Sequence, residues 1–273
     1  MALFNNTRQA LRHMVADLCN DLITGTVADP ASGSFVCKET AWQRSDDYFN
    51  DWMEVFCYSG TGVGTSGKPK TWTGSTNTLT FAPAATLTDG DLAEMHRRFT
   101  VDEYNRKINA AIDAVAKEAY VYKVDTSTVV VDDTYSYDLP TSFVSIFEIE
   151  QETDESGIYD GTGILDLRAI KFVPGSPSKF EINPKWFTLT ADRHLRIKGF
   201  ASPATLDNDA AECPIDPTYV CNQAAALLLQ SRIRTEDSSE QYQVQQISTY
   251  MAAAGAARAR LMTTALQGIP VIE

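Results

Sequence analysis

The motif with the most obvious chemical meaning is a glycine-rich loop over residues 60–68. Gly62, Gly64 and Gly67 satisfy G-x-G-x-x-G, and the same stretch satisfies G-x-x-x-x-G-K, two patterns whose backbone N–H groups cradle phosphates. In a phosphate-binding loop, a Ser or Thr follows the lysine and a helix comes next. Here Pro69 takes that position and the following residues are strand-like. The sequence therefore favours a β-hairpin loop, flexible or ordered by a partner, over a nucleotide-dependent enzyme.

The other residues that commonly carry chemistry form no recognisable site. His13, His96 and His194 are predicted in a helix, a polar connector and a strand, without the H-x-x-x-H spacing that places two zinc ligands on one face. No G-x-S-x-G elbow is present. We expect no catalytic residue, no cofactor and no metal, so the chain is predicted not to be an enzyme. The five cysteines contain no C-x-x-C, and we interpret them as reduced, buried thiols: Cys19, Cys37, Cys57, Cys213 and Cys221.

Flat aromatic rings offer a different chemistry, because they stack on sugars. The four tryptophans, all in predicted β regions, are Trp42, Trp52, Trp72 and Trp186. If they were exposed they could form a carbohydrate-binding platform, but aromatic residues in strands more often belong to a core or a subunit interface. The sequence favours the second interpretation and leaves the first open.

Apolar spacing predicts helices at both ends of the chain. Residues 3–23 carry apolar side chains at three- to four-residue steps, and Gly25 follows as the expected C-terminal cap. Asp216 and Pro217 form an N-cap and first-turn pair for a helix to about residue 234. A long final helix is predicted over residues 238–267, and its stretch of small side chains predicts a close neighbour.

The best-marked helix lies in the middle of the chain. Thr100 and Glu103 form a capping box, and Phe99 and Tyr104 occupy the two positions of a hydrophobic staple. The apolar stripe then continues to about Tyr122, which predicts a helix of about five turns.

Strand-like runs separate these helices. We therefore predict an α+β fold, a helical bundle built from the N-terminal, central and two C-terminal helices, with two antiparallel β modules inserted between them. The predicted boundaries are 1–27 for the N-terminal helix, 28–85 for the first, small β module, 86–126 for the central helix, 127–202 for the second β module, 203–267 for the C-terminal helices and 268–273 for a C-terminal tail.

Composition and charge exclude several classes of protein. The chain has 273 residues, enough for a sizeable core, and a net charge of −13 at pH 7. That charge has the wrong sign for a protein that wraps DNA. No window approaches about 18 consecutive apolar residues, and the first residues do not resemble a signal peptide, so we expect a soluble protein in the cytoplasm where it is made.

The second β module divides its charge along the chain. Asp125 to Asp166 contain eleven acidic residues and no Lys or Arg, whereas Arg168 to Lys198 contain seven basic residues and two acidic ones. Two interpretations remain open: oppositely charged solvent faces, or complementary edges that meet between copies in a ring.

The order of elements resembles that of the head-to-tail adaptor proteins, also called neck or connector proteins, of tailed bacteriophages. The segments that carry this resemblance span most of the chain: Gly25-Thr-Val, Asp46-Asp-Tyr-Phe-Asn-Asp-Trp, Ser59-Gly-Thr-Gly, Lys70-Thr-Trp-Thr-Gly-Ser-Thr, Thr78-Leu-Thr-Phe-Ala-Pro, the Glu103 helix, Tyr137-Asp-Leu-Pro-Thr-Ser-Phe, Leu195-Arg-Ile-Lys-Gly and Pro214-Ile-Asp-Pro-Thr-Tyr-Val.

The resemblance implies a structural virion protein at the head-tail junction, which would be present in the host cytoplasm during assembly. It implies a ring of about twelve copies beneath the portal protein, with a downstream tail or nozzle protein as a second partner, DNA passing through without specific binding, and no membrane partner. The family is not known to do chemistry. The alternative is a tail or baseplate component that binds a host surface carbohydrate through its tryptophans.

Two sets of residues are candidates for contacts in such an assembly. The aliphatic C-terminal tail is predicted to dock on the portal or on a neighbouring copy through Ile269, Pro270, Val271, Ile272 and Glu273. Asp132, Asp133 and Asp138 are predicted either to face a DNA channel, where negative charge repels phosphate, or to lie between subunits.

Overall fold

The structure is a computed structural model that describes residues 6–37, 45–140, 143–153, 156–173, 175, 178–233 and 240–265. Strand, at 34%, exceeds helix, at 26%. The helices are α1 (Arg8–Leu18), α2 (Val101–Asp113), α3 (Pro217–Gln230) and α4 (Glu240–Ala265). The strands are β1 (Asn6–Thr7), β2 (Ile23–Ala31), β3 (Ser34–Cys37), β4 (Glu54–Ser59), β5 (Ser66–Thr73), β6 (Thr78–Ala82), β7 (Leu92–His96), β8 (Val121–Val129), β9 (Ser136–Asp138), β10 (Phe143–Gln151), β11 (Ile164–Leu165), β12 (Ile170–Val173), β13 (Lys179–Ile182), β14 (His194–Ala201) and β15 (Glu212–Cys213).

The chain divides into two units, each made from two stretches of sequence. The first unit comprises the described parts of residues 1–114 and 205–258, and the second comprises those of 115–204 and 259–273. Within the described residues, no helix is both long and apolar enough to cross a lipid bilayer.

A closed six-stranded barrel forms the β part of the first unit. Its antiparallel strands follow the order β2-β3-β6-β5-β4-β7, and β7 pairs with β2 to close the ring, with Gly25 opposite Ala93. Alternate side chains of each strand point inward, where aromatic rings fill the barrel. Phe49, from the segment before β4, is fully buried in this core, with its ring centroid 4.8 Å from that of Trp52 and 4.9 Å from that of Trp72 in edge-to-face contacts.

The predicted fold class, a helical bundle with inserted β modules, is wrong. Two strands that close the barrel come from segments that the sequence assigned to helices: Ile23–Ala31 begins inside the predicted N-terminal helix, and Leu92–His96 lies in the predicted central-helix segment. Gly25 is therefore a strand residue rather than a helix cap. The helices α1, α2 and α3 pack on one another in the same unit as the barrel.

Local helix signals are confirmed where they depend on neighbours in sequence. The Thr100 side chain accepts a hydrogen bond from the Glu103 N–H while the Glu103 carboxylate accepts one from the Thr100 N–H, which is the predicted capping box. The staple is also present, because the Phe99 and Tyr104 rings meet at 5.7 Å. The helix that follows ends at Asp113, however, and not near Tyr122.

The second unit consists of two antiparallel sheets over one core. The four-stranded sheet has the order β11-β10-β14-β8 and the three-stranded sheet the order β12-β13-β9. Buried side chains from both sheets form a single cluster that includes Ile149, Phe180 and Ile197. Strand β8 lies at one edge of its sheet and leaves Tyr122 and Val124 exposed.

Candidate functional site

The glycine-rich loop is a hairpin connection in which several backbone N–H groups already bind acceptors of the same chain. It joins β4 to β5, and the buried carboxylate of Asp91 accepts hydrogen bonds from the N–H groups of Thr61 at 2.8 Å, Gly62 at 3.0 Å and Thr88 at 2.8 Å. These N–H groups therefore do bind a carboxylate in the way that such groups bind a phosphate, but the carboxylate is that of Asp91 in the same chain. A Cβ at Gly60 would lie 2.1 Å from Asp91 Oδ1, and φ there is +103°, so the close approach requires glycine.

A buried ionic network joins α1 to the barrel. Arg12 is fully buried, donates to Glu94 Oε1 at 2.8 Å, and makes a two-pronged contact with Asp209 through two bonds of 2.8 Å. His13 donates to the other Glu94 oxygen at 2.5 Å. His96, which the sequence placed in a connector, is buried in β7 with its Nε2 3.7 Å from Glu94. This cluster fastens the helices to the barrel wall.

The carboxylates of this network are held in their charged form. Burial by itself raises the pKa of Glu94, but the hydrogen bond from His13 and the interactions with His96 and with the Arg12 guanidinium outweigh it and lower that pKa to about 2. Burial likewise opposes ionisation of Asp209, yet the hydrogen bonds from Arg12 and Arg8 lower its pKa. Since Glu94 and Asp209 are both bound by the permanently charged Arg12, the network is suited to holding structure together rather than to proton transfer.

The part of the chain that the structure describes contains no group of three or more His, Cys, Asp or Glu side chains arranged to hold a metal ion. All five cysteines are free and buried. Burial raises the pKa of Cys19 and of Cys221 to about 12, and that of Cys57 to about 11, so these thiols are poor nucleophiles at neutral pH.

The three tryptophans that the structure describes do not lie together on a surface. Trp52 and Trp72 are buried in the barrel, at 6% and 1% exposure, whereas Trp186 is 61% exposed in the second unit. Trp42 lies outside the described residues. A platform of several exposed rings therefore receives no support from the tryptophans that the structure describes.

The predicted acidic residues occupy two different environments. Asp132 and Asp133 form the exposed turn after β8, where φ of Asp133 is +52° and the Thr134 N–H closes the turn on the Val131 carbonyl. Asp138 lies in β9 opposite Lys179, with 3.6 Å between Oδ1 and Nζ. The predicted tail contacts Ile269, Pro270, Val271, Ile272 and Glu273 lie outside the described residues.

Much of the divided charge in the second unit is paired across strands of the same chain. Glu148 lies opposite Lys198 at 2.5 Å, and Glu150 lies opposite Arg196 and forms an ion pair with it. Asp138 and Lys179 form a third cross-strand pair between the two segments, at 3.6 Å. The acidic and basic segments therefore meet as neighbouring strands, a possibility that the sequence interpretation did not include.

Helix α4 presents an exposed face without charge. Between Glu240 and Arg258 the helix has no charged side chain. Its buried stripe is narrow, with Ile247, Ala254 and Ala257 as its buried members. The opposite face, which we call the α4 face, consists of exposed residues at helical spacing: Val244, Ser248, Met251, Ala252, Gly255 and Ala256.

A second surface feature is a cleft where α1 and β7 end and α4 begins. We call it the arginine cleft; it has a volume of about 450 Å³ and is lined by Cys19, Asn20, Arg97, Arg98, Tyr242, Gln243 and Gln246. Two adjacent arginines in a chain of net charge −13 are the sequence signal that could have located this cleft.

Comparison with protein-family models gives no match, and a search of curated protein sequences gives no relative.

Proposed function

We propose that this chain is a structural virion protein, an oligomeric adaptor that joins a portal to a tail and forms part of the channel through which DNA passes. In this proposal the chain performs no reaction and requires no cofactor. Its partners are further copies of itself, a portal protein and a downstream tail or nozzle protein. The observation that carries the proposal is the α4 face.

A helix on a protein surface normally carries charged side chains on its solvent face. The α4 face has none, and Met251 and Val244 on it are 45% and 49% exposed. Its small residues, Ala252, Gly255 and Ala256, permit another backbone to approach closely, and a Cβ built at Gly255 meets no atom within 4 Å. A second copy of the chain is the occupant that fits the oligomer proposed here.

The net charge supports the second part of the proposal. A ring of acidic chains presents a negative field to passing DNA, which prevents phosphates from adhering to the wall. At physiological ionic strength this field extends only about 8 Å, so the carboxylates nearest the channel would dominate. Asp132, Asp133 and Asp138 remain candidates for either the channel wall or a contact between copies.

The test compares one substitution at two exposed helical alanines. Ala252→Glu places a carboxylate on the α4 face, and Ala110→Glu places one on the exposed side of α2 as the matched control. Both should leave the monomer folded, since replacing an exposed helical alanine costs only a few tenths of a kcal/mol. We expect Ala252→Glu alone to abolish assembly with the portal, as measured by mass photometry and electron microscopy. Equal assembly of both variants would contradict the proposal.

The same images separate this function from carbohydrate binding by a tail or baseplate component. Proteins that bind receptors commonly form trimers, whereas the adaptor is expected as a large ring at the portal. A trimer that ignores the portal and binds a glycan through Trp186 would replace the proposed function with the alternative.

A further inference from the structure

The arginine cleft combines two cations with hydrogen-bonding groups in an otherwise acidic chain. Within the described residues, neither Arg97 nor Arg98 forms an ion pair, although the first unit contains several others. Tyr242 is 68% exposed at the rim, and Gln243 and Gln246 add amide groups. Guanidinium groups with nearby amide and phenol donors are suited to bind carboxylates.

The backbone that carries these arginines is firmly fixed. The buried carboxylate of Asp21 accepts hydrogen bonds from the backbone N–H groups of Arg97 and Arg98 at 2.7 Å each. It also accepts one from the Phe99 N–H at 3.1 Å and one from the Tyr104 hydroxyl at 2.7 Å. Asp21 accepts four donors on its two oxygens, so its carboxylate is engaged by the backbone and by Tyr104, and no ion pair with either arginine side chain occurs within the described residues. The Arg98 guanidinium also lies 5.5 Å from the centre of the Phe99 ring, which restricts its position.

The second unit presents an exposed feature of opposite charge. The turn that contains Asp132 and Asp133 is exposed, and its two carboxylates form no ion pair with a described residue. The turn is held in shape, because Asp132 Oδ1 accepts the Asp133 N–H at 3.2 Å and the Tyr137 hydroxyl donates to the Thr134 carbonyl at 2.6 Å. Val131, at its start, is 58% exposed and supplies an apolar contact.

We infer that the arginine cleft of one copy binds the Asp132–Asp133 turn of the next copy. This inference rests on the proposed function, because it identifies which surfaces join neighbouring copies in the ring. The cleft and the turn are different surfaces, so each copy uses one of each and the contact is heterologous, the type that closes into rings. Two adjacent arginines facing two adjacent aspartates fix the register of that contact.

The test uses charge reversal in two separate chains. Arg97→Glu with Arg98→Glu makes the cleft repel the wild-type turn, and Asp132→Lys with Asp133→Lys makes the turn repel the wild-type cleft. Each variant alone should lose assembly with the portal by roughly tenfold or more at low salt. An equimolar mixture of the two should restore it, because alternating copies then meet with opposite charges at every contact. Sedimentation velocity measures the assembled fraction.

Several outcomes overturn the inference. If the mixture assembles no better than either variant alone, the cleft and the turn do not meet between copies. If both variants assemble like the wild type, these charges are not part of an interface, while the proposed ring itself stands. If the wild type does not assemble, the proposed function fails and this inference fails with it.

A matched control excludes a general effect of added negative charge. Arg106→Glu with Lys107→Glu reverses two adjacent cations on α2, outside the cleft. We expect this variant to assemble like the wild type, and an equal loss of assembly would contradict a specific role of the cleft. Circular dichroism and thermal melting of each variant show whether the monomer is still folded.

Discussion

Removing the charge of Glu94 should weaken the first unit by about 3 kcal/mol, the upper part of what single substitutions commonly cost. In the substitution Glu94→Gln the side chain keeps its shape, but Arg12 loses the carboxylate that its Nε contacts at 2.8 Å in a site where both side chains are fully buried. Leaving one member of a buried pair uncompensated costs about 3–5 kcal/mol. The two-pronged contact of Arg12 with Asp209 persists and places the expected loss at the lower end of that range.

The lowered pKa of Glu94 is a second consequence of the same interaction. The pKa of Glu94 is lowered from 4.5 to about 2, and one pKa unit corresponds to about 1.4 kcal/mol. This again gives about 3 kcal/mol. Since the pKa is lower in the folded protein than in the unfolded chain, the stabilisation is complete above about pH 4.5 and is lost as the pH falls towards 2.

Urea unfolding, followed by circular dichroism at pH 7 and at steps down to pH 2.5, measures this contribution. The difference between wild type and Glu94→Gln should be about 3 kcal/mol at pH 7 and should shrink steadily below pH 4.5. Glu212→Gln, the same substitution at an exposed position of the first unit, should change stability by less than about 0.5 kcal/mol. A Glu94→Gln variant as stable as the wild type at pH 7 would refute the reasoning.

Three further predictions concern the loop, the thiols and the helix start. Asp91→Ala removes the acceptor of three backbone N–H groups, so the free energy of unfolding should fall by about 3 kcal/mol. Hydrogen exchange of the amides of Thr61 and Gly62 should also accelerate. Unchanged exchange would show that Asp91 does not hold the loop in place. Burial raises the pKa of the Cys19 and Cys221 thiols to about 12, whereas a thiol in the unfolded chain ionises at about pH 8.5. The free energy of unfolding should therefore be constant below about pH 8.5 and fall as the pH rises towards 11. Equal urea unfolding midpoints at pH 8 and pH 10.5 would contradict this. Thr100→Ala should lower the free energy of unfolding by about 1 kcal/mol, and Thr100→Ser should leave it almost unchanged, because serine keeps the capping hydroxyl. Equal losses of stability for both variants would show that the hydroxyl is not the stabilising group.

Sequence predicted the features that depend on residues close together in the chain. The capping box and the staple around Thr100 need only a four-residue spacing, and Asp216 caps α3 as expected, accepting the Thr218 N–H at 2.8 Å. The end of α2 could not be predicted in the same way. Residues 114–120 have good helix propensity, but Val121 pairs with Ala201 in β14, and a pairing over 80 residues leaves no local signal.

The barrel could not be predicted either, because its strands also pair with partners far away in the chain. Ile23–Ala31 follows a true amphipathic helix closely, so its first residues continue an apolar pattern that is also compatible with a helix. Its identity as a strand depends on β7, about 70 residues later, and on the ring closure that the two strands make. Once the barrel closes, Phe49, Trp52 and Trp72 become core residues, which explains why the tryptophans do not form a surface.

Only some of the features of the candidate surfaces could be predicted from the sequence. The small-residue stretch of the last helix predicted a need for a neighbour, and the exposed α4 face is consistent with that expectation. The buried partners of Arg12 were not predictable, because Glu94 and Asp209 lie 82 and 197 residues away. The charge division of the second unit is visible in the sequence, but the pairs Glu148–Lys198 and Glu150–Arg196 are not, since strand register decides which charges meet.

The central claim is that this chain completes its exposed surfaces with identical copies at a portal. Single-particle electron microscopy of the purified chain mixed with its portal protein tests this most directly. We predict one closed ring of about twelve copies bound to one face of the portal, with α4 and the arginine cleft in contacts between neighbouring copies. A protein that remains monomeric and unbound beside intact portals would contradict it.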